Sequence, residues 1–290
     1  MTDQEILAGP KETAEDSGTL GLNIYGNVGG NMQTVLSYTA TGQVQGALAW
    51  LTGNFTGTEN MGIQIAQPWD NNGTLGLNIY GNVGGTLQPV FTSSDMGQGS
   101  GALAWLTGNF TGTGNDFTEI VQLWDDNGIL GLIVYGIGND GTLETVFANP
   151  NMNQGSSALA FLAGYFTGSG TTTQIAQPWD NNGTLEMIVY GIGNDGTLET
   201  VYASPMHQGS SALAFLTGNF IGSGSTQIAQ TRDNNGSLQL LIYGDVGDGG
   251  LSTVFSNDIS QIPFALAWVT GDFTGSANTQ ILQPWIRVFG

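Results

Sequence analysis

The stretch "ALAWLTGNF" at residues 47–55 recurs along the chain and decides the fold. Close copies begin at Ala102, Ala158, Ala212 and Ala265, so successive copies lie 55, 56, 54 and 53 residues apart. A period of this length predicts one supersecondary unit repeated along the chain. Five copies of the unit marked by this motif account for most of the 290 residues.

Each complete unit contains four apolar stretches of strand length, which we name strands A to D. In the first complete unit they are "GALAWLT" (46–52), "IQIAQPW" (63–69), "TLGLNIYG" (74–81) and "LQPVFTS" (87–93). Clusters of Gly, Asn and Asp separate them, which is the chemistry of tight turns. No segment has a capped helical period of useful length. The sequence predicts an all-β protein of four-stranded antiparallel meanders.

The order of strands at the two ends of the chain predicts a ring. The chain opens with strands C and D (19–26 and 32–38), runs through four complete units and closes with strands A and B (265–271 and 279–285). Two strands from each end would complete one more blade, and closure would remove exposed sheet edges. We expect a five-bladed β-propeller, with a stacked β-solenoid as the alternative.

The predicted domain division follows from the repeats. Residues 18–290 form a single propeller domain, and residues 1–17 form a flexible N-terminal tail. Within the tail, "QEILAG" (4–9) resembles a strand B and could compete with 279–285.

The charge composition of the chain limits the classes of molecule that it is expected to bind. The chain has 23 acidic residues and only three basic ones, Lys11, Arg232 and Arg287, for a net charge of -20. Three scattered cations cannot follow a phosphate backbone, so nucleic acid and anionic membranes are excluded as expected partners. A neutral or cationic ligand, or a metal ion, remains compatible with this charge.

The cysteine content and the N-terminal sequence provide predictions about disulfides, metal sites and cellular location. The chain contains no cysteine, so disulfides and thiolate metal sites are excluded. The start is polar, and no run approaches the roughly 18 apolar residues that a membrane span needs. We expect a soluble protein without a signal peptide or membrane insertion, either cytoplasmic or released by a non-classical route.

The unit resembles a known repeat family. "ALAWLTGNFTG" (47–57) followed by "QIAQPWDNNGTLGLNIYGNVGGTLQPVF" (64–91) is similar to the VCBS/FG-GAP repeat, and the resemblance extends over residues 18–290. It implies a β-propeller. Family members serve in integrin-type adhesion, as calcium-stabilised scaffolds, as domains attached to enzymes, and as mushroom lectins of the Psathyrella velutina type.

The family's calcium loop is altered in this chain. In many members the A–B loop is an Asp-rich cradle that supplies hard oxygen ligands to Ca²⁺. Four of the five loops here carry a neutral or aromatic residue in place of the leading Asp: Asn54, Asn109, Tyr165 and Asn219. Only Asp272 keeps that acid, and Thr or Ser replaces later ligands. We expect no cofactor, with Asp272 or Asp116 as the remaining candidates for a calcium ligand.

The turn between strands B and C suggests a binding site. It reads "QPWDNNG" at 67–73 and 177–183, and "QLWDDNG" at 122–128. In a meander, the B–C turns and the D–A linkers emerge at one end, and every linker carries a Gln four residues before the first Ala of strand A. An exposed indole beside carboxylates and amides suits a neutral sugar. The predicted carbohydrate-binding residues are Trp69, Asp70, Asn71, Trp124, Asp125, Trp179, Asp180, Asn181, Trp285, Gln43, Gln98, Gln154, Gln208 and Gln261.

A structural interpretation of the same residues stays open. Each Trp could cover a sheet edge, and "DNNG" could be only a good type I′ hairpin turn. A second recurrent Gln, at the end of strand B, could be buried and bind loop backbone. These residues are Gln67, Gln122, Gln177, Gln230 and Gln283. The strand A aromatics, such as Trp50 and Trp105, are assigned to packing between blades.

Catalysis is not expected. The chain has one histidine, His207, and no repeated Ser/His/Asp arrangement. Asp125 and Asp126 are adjacent in a turn, which does not place two acids across a glycosidic bond. We predict a lectin with several similar weak sites between blades that act by multivalency. The fourth site is altered because Arg232 replaces Trp. The alternative is a structural or protein-interaction scaffold, with or without calcium. The sugar and the oligomeric state stay open.

Overall fold

The computed structural model describes thirteen segments of the chain. They are residues 19–28, 31–41, 46–57, 62–99, 101–112, 117–153, 158–168, 171–209, 212–222, 225–247, 250–259, 267–272 and 278–284. All regular elements in these segments are β-strands. The predicted tail, residues 1–17, lies outside them.

Twenty strands follow one another along the described chain. Their bounds are β1 Thr19–Val28, β2 Asn31–Thr41, β3 Leu51–Gly53, β4 Gln64–Asn71, β5 Thr74–Val83, β6 Thr86–Ser93, β7 Ala104–Gly108, β8 Glu119–Asp126, β9 Ile129–Ile137, β10 Leu143–Asn149, β11 Leu162–Gly164, β12 Gln174–Asn181, β13 Thr184–Ile192, β14 Leu198–Gly209, β15 Ala212–Gly218, β16 Gln227–Asn234, β17 Ser237–Gly247, β18 Gly250–Ile259, β19 Val269–Gly271 and β20 Gln280–Leu282.

Four complete units form four-stranded antiparallel sheets. Unit 1 contains β3 to β6, unit 2 contains β7 to β10, unit 3 contains β11 to β14 and unit 4 contains β15 to β18. Within each unit the strands pair in chain order, from A to D. The predicted all-β fold of four-stranded antiparallel meanders is confirmed.

The predicted closing blade is not formed among the described residues. Strands β1 and β2 make one two-stranded sheet, and β19 and β20 make another. In unit 1, strand B offers eight residues, Gln64–Asn71, for pairing with strand C. Its counterpart β20 has only three described residues, Gln280–Leu282, and Trp285 lies outside the described part. Among the described residues, no backbone pairing joins β20 to β1.

Each B–C connection is a tight type I′ hairpin. Asn72 and Gly73 have φ of 53° and 88°, and Asn71 pairs with Thr74 across the turn. A two-residue Asn-Gly turn with positive φ at both positions matches the twist of antiparallel strands. The same turn is present at Asn127–Gly128, Asn182–Gly183 and Asn235–Gly236.

The hydrophobic cores lie between neighbouring units rather than inside one sheet. Along β9, Leu132 packs in a core with Tyr190 of unit 3, whereas the next residue, Ile133, packs in a core with Leu77 of unit 1. Side chains alternate across a strand, so both faces of the sheet are covered. Trp105 of strand A also packs into the core shared with unit 1, which confirms the packing role assigned to it.

A threonine before strand B fastens each unit to the preceding one. Thr118 N donates to the Asn54 carbonyl at 2.7 Å, and Asn54 N donates to Thr118 Oγ1 at 2.9 Å. A Cβ on Gly53 would lie 2.6 Å from Thr118 Cγ2, so the approach requires glycine. We call these contacts the inter-unit latches. The other three join Gly108 and Asn109 to Thr173, Gly164 and Tyr165 to Thr226, and Gly218 and Asn219 to Thr279.

Candidate functional site

The B–C turns and D–A linkers lie at the same end of the sheets, as predicted. In unit 1, Leu75 N donates to the Gln98 carbonyl at 3.0 Å, and Met96 N donates to the Leu75 carbonyl at 2.8 Å. The linker that contains Gln98 therefore runs beside the first residues after the Asn72–Gly73 turn. We call this end of the sheets, made of the B–C turns and D–A linkers, the turn face. The Gln98 side chain is exposed there.

The aspartates of the turn face stabilise the hairpins. Asp70 Oδ1 accepts a hydrogen bond from Gly73 N at 2.6 Å. The same bond joins Asp125 to Gly128 at 2.5 Å, Asp180 to Gly183 at 2.6 Å and Asp233 to Gly236 at 2.6 Å. Asp side chains commonly bind backbone in this way within turns. Asp70, Asp125 and Asp180 were predicted to bind sugar. One carboxylate oxygen of each already accepts a hydrogen bond from the backbone of its own turn.

Removing one of these carboxylates should weaken its hairpin. We expect Asp125→Ala to lower the free energy of unfolding by about 1 kcal/mol, because the Gly128 N–H loses its acceptor. Asp126→Ala is the matched control, since it removes the same charge from the same turn and leaves that bond intact. Urea unfolding of both variants measures the difference. Equal stabilities would contradict the role assigned to Asp125.

The tryptophans of the turn face are partly buried rather than fully exposed. The Trp69 ring lies on Gly76 of the paired strand, where a Cβ would come within 2.4 Å of the indole. Trp124 lies on Gly131 in the same way and packs against the core shared with unit 1. The N–H groups of Trp69 and Trp179 are buried without a hydrogen-bond partner. These two indoles therefore offer carbon surface to a ligand rather than a donor.

Unit 3 combines more polar groups around its indole than units 1 and 2. Trp179 pairs across the strands with Glu186, where units 1 and 2 place glycine. Asn181 Nδ2 donates to Glu186 Oε1 at 2.8 Å. Asp180, Trp179 and Glu186 are all partly exposed. The sequence prediction missed Glu186, although the antiparallel register that follows from the Asn182–Gly183 turn would have placed it opposite Trp179.

Unit 4 lacks this platform. Arg232 occupies the tryptophan position, and its Nε donates to Gln239 Oε1, its cross-strand neighbour, at 2.5 Å. This pairing agrees with the prediction that the fourth site is altered.

The glutamines that end strand B are buried partners of tyrosines. Gln122 is 2% exposed, its Oε1 accepts from Tyr135 Oη at 2.9 Å, and its Nε2 donates to the Gly99 carbonyl of the linker at 3.2 Å. The hypothesis of a buried Gln that binds loop backbone is confirmed here. Equivalent pairs join Tyr80 to Gln67, Tyr190 to Gln177 and Tyr243 to Gln230.

Burial makes these tyrosines weak acids. It raises the pKa of Tyr80 to about 12, with a further contribution from Tyr38 and an opposing one from the Asn78 hydrogen bond. It raises the pKa of Tyr243 to about 12 against the charge of Arg232. Burial also raises the pKa of Tyr135 and Tyr190. Their hydroxyls therefore stay protonated and donate to the glutamines.

For several predicted site residues the structure describes no side chain. Asn71 lies at the end of β4 and Gln208 lies in β14, but their side chains are not described, and neither is that of His207. The others lie in undescribed segments: Gln43, Gln154, Gln261 and Trp285. The structure thus tests the predicted set mainly in units 1 to 3.

Hydrogen bonds organise the A–B loops, which the sequence resemblance made the candidate position for calcium. Gln64 Oε1 accepts from Phe55 N at 2.8 Å and from Thr56 N at 3.0 Å. Gln174 and Gln227 bind the equivalent loops of units 3 and 4. In unit 2, Glu119 takes this position. Among the described residues no three acidic, His or Cys side chains converge on one point. Asp272 is exposed, and Asp116 lies outside the described residues.

No helix in the described segments is long and apolar enough to cross a membrane.

Comparison with known proteins gives a limited result. No protein-family model matches the chain, and no curated protein sequence matches it. The resemblance to the VCBS/FG-GAP repeat therefore stays a prediction. The fold and the turn face define a class, an all-β repeat protein of antiparallel four-stranded sheets.

Similar solved structures include three rhamnogalacturonan lyases. They are lyase YesW (14% identity, TM-score 0.44), the exotype lyase YesX (12%, 0.43) and the Bacillus licheniformis lyase PL11 (13%, 0.42). The matches cover 83%, 79% and 83% of this chain, and 58%, 56% and 59% of those chains. The chain spans less than two thirds of each, and at these values the likeness says nothing about activity.

Proposed function

We propose that the chain is a non-catalytic carbohydrate-binding protein with several weak sites on the turn face. The observation that carries the proposal is the cluster of unit 3. Trp179 supplies partly exposed carbon surface, and Glu186 lies opposite it in the paired strand. Asp180 uses Oδ1 for its turn, and Glu186 uses Oε1 for Asn181. The second oxygen of each carboxylate is the acceptor proposed for sugar hydroxyls.

The proposed binding mode relies on repetition. Related indole sites in units 1 and 2 carry glycine opposite the tryptophan, so each offers fewer polar contacts. Weak sites gain strength when several of them engage one glycan-covered surface. We further propose that the units form a five-bladed propeller, with β1 and β2 completing the blade of β19 and β20. The first strands of successive units lie side by side, which supports a radial arrangement.

Sugar titration of unit 3 variants tests the function. We expect Glu186→Ala to weaken binding of a neutral mono- or oligosaccharide about tenfold, as loss of a charged hydrogen-bond partner does. Glu199→Ala is the matched control, because it removes the same charge from unit 3 at an exposed position near the C–D turn. Trp179→Ala should abolish binding at this site, with about 2 kcal/mol lost from the free energy of unfolding because Trp179 also packs against the core.

Calorimetry and thermal shift with a panel of neutral sugars provide the readout, since binding to the native state raises its apparent stability. If none of the neutral sugars bound at millimolar concentration, the result would contradict the proposal.

A scaffold is the second candidate, and one observation favours it. Asp70, Trp69 and the strand B residue Gln67 all have structural partners within unit 1. A scaffold would show no change in tryptophan fluorescence with sugars, whereas a carbohydrate-binding protein would show one. A response to calcium or to a chelator would assign the stabilising role to a metal.

A further inference from the structure

A groove lies between units 1 and 2, and none of the turn-face indoles lines it. Three adjoining cavities of about 320, 280 and 260 Å³ form it, between β6 of unit 1 and β9 and β10 of unit 2. The first two cavities share Phe91, and the last two share Phe117 and Ile137. We call this feature the unit 1–2 groove. The first cavity has the size of a small-molecule site, and the other two extend it.

Two aromatic rings line the groove. Phe91 and Phe117 are both partly exposed. A Cβ on Gly57 would lie 1.8 Å from Phe117 Cε1, so the ring rests directly on the Gly57 backbone and is held in place. The ring faces of aromatic side chains carry partial negative charge and attract cations.

Phe117 differs in residue type from the equivalent positions of the later units. It directly precedes Thr118 of the inter-unit latch. The residues that precede the latch threonine in units 3, 4 and the last copy are Thr172, Ser225 and Asn278. Thr172 approaches Gly112 as Phe117 approaches Gly57. The fold therefore needs no aromatic ring at this position, and packing of the repeat does not account for Phe117.

The rim of the groove is acidic. Glu144 lines the first and third cavities, and Asp95 lines the first. Both side chains are exposed, and none of the described lining residues is basic. Since the whole chain carries a net charge of -20, the surrounding field also favours a cation.

We propose that the unit 1–2 groove binds a small organic cation, a methylated ammonium compound. The methyl groups would contact Phe91 and Phe117, and the positive charge would lie near Glu144. Aromatic faces combined with carboxylates recognise quaternary ammonium groups in this way. The site is independent of the sugar-binding proposal because it uses none of the turn-face tryptophans.

Choline and its neutral isostere 3,3-dimethylbutan-1-ol test the chemistry. Calorimetric titration of the full chain at low salt should show choline binding and at least tenfold weaker binding of the alcohol. Added salt should weaken choline binding, because the charges are near solvent. Equal binding of both compounds, or no choline binding up to tens of millimolar, would overturn the proposal.

Two variants locate the site. Phe117→Thr places at this position the residue that unit 3 already uses, so the fold should be kept, as circular dichroism would verify. We expect it to weaken choline binding about tenfold. Glu144→Gln should weaken it several-fold, whereas Glu199→Gln, the same change at the equivalent position of unit 3, should leave it within twofold.

Two results with these variants would contradict the proposal. Unchanged binding in Phe117→Thr would remove the groove as the site. Equal weakening by Glu144→Gln and Glu199→Gln would show that only net charge matters, and would also overturn the proposal.

Discussion

The protein should lose its fold between about pH 10 and pH 12. An unfolded tyrosine ionises near pH 10. Burial raises the pKa of native Tyr80 and Tyr243 to about 12, and also raises that of Tyr135 and Tyr190. Above pH 10 the native state keeps protons that the unfolded state releases. The stabilisation is therefore complete below pH 10 and decreases as the pH rises through the native pKa.

The expected effect is large because four tyrosines act together. A pKa raised by two units corresponds to about 3 kcal/mol for one group. Four such groups together approach the whole stability of an ordinary domain, about 5–15 kcal/mol. Circular dichroism should show a cooperative loss of sheet structure, with tyrosinate absorbance rising in the same transition. Tyr135→Phe should reduce the pH dependence by about a quarter. A fold that persists while tyrosinate absorbance rises near pH 10 would contradict the prediction.

Gly108→Ala should destabilise the protein by about 3 kcal/mol. A Cβ at this position would lie 2.6 Å from both Cγ2 and Oγ1 of Thr173 and 2.7 Å from its Cβ. Carbon atoms pack favourably at about 3.5–4.0 Å, so units 2 and 3 must separate locally. That separation would break two hydrogen bonds of the latch, from Asn109 N to Thr173 Oγ1 and from Thr173 N to the Asn109 carbonyl.

Thermal and urea unfolding measure this effect against a matched glycine. Gly101→Ala adds the same methyl group at a position with nothing within 4 Å and no positive φ. It should be neutral or slightly stabilising, because alanine restricts the unfolded chain. Gly108→Ala should lower the melting temperature by roughly 5–10 °C. Similar melting temperatures for the two variants would show that the latch contributes little.

Much of the fold could be predicted because its signals are local. The "DNNG" stretch specifies a type I′ turn, and Asn72 and Gly73 adopt the positive φ that this turn requires. Apolar stretches of strand length between such turns gave strands B, C and D of unit 1 within a few residues. Strand A of unit 1 was predicted over residues 46–52, but only Leu51–Gly53 has regular pairing.

The candidate site was predicted less completely. The sequence placed Trp69, Asp70 and Gln98 at one end of the sheet, and the structure agrees. It could not show that Asp70 binds its own turn or that Trp69 lies on Gly76. Exposure is set by what packs beside a residue, and a residue pattern along one strand does not contain that information.

By itself, the sequence determined the strands, the hairpin turns and the repeated unit, because these depend on residues only a few positions apart. The tertiary structure alone decided what the recurrent side chains do. Asn54 and Thr118 meet across 64 positions only because two sheets stack. Glu186 lies opposite Trp179 through the register of a local hairpin, whereas Phe117 reaches the unit 1–2 groove through the packing of two sheets. Contacts of the second kind depend on how separate units fit together, and the groove is built from them.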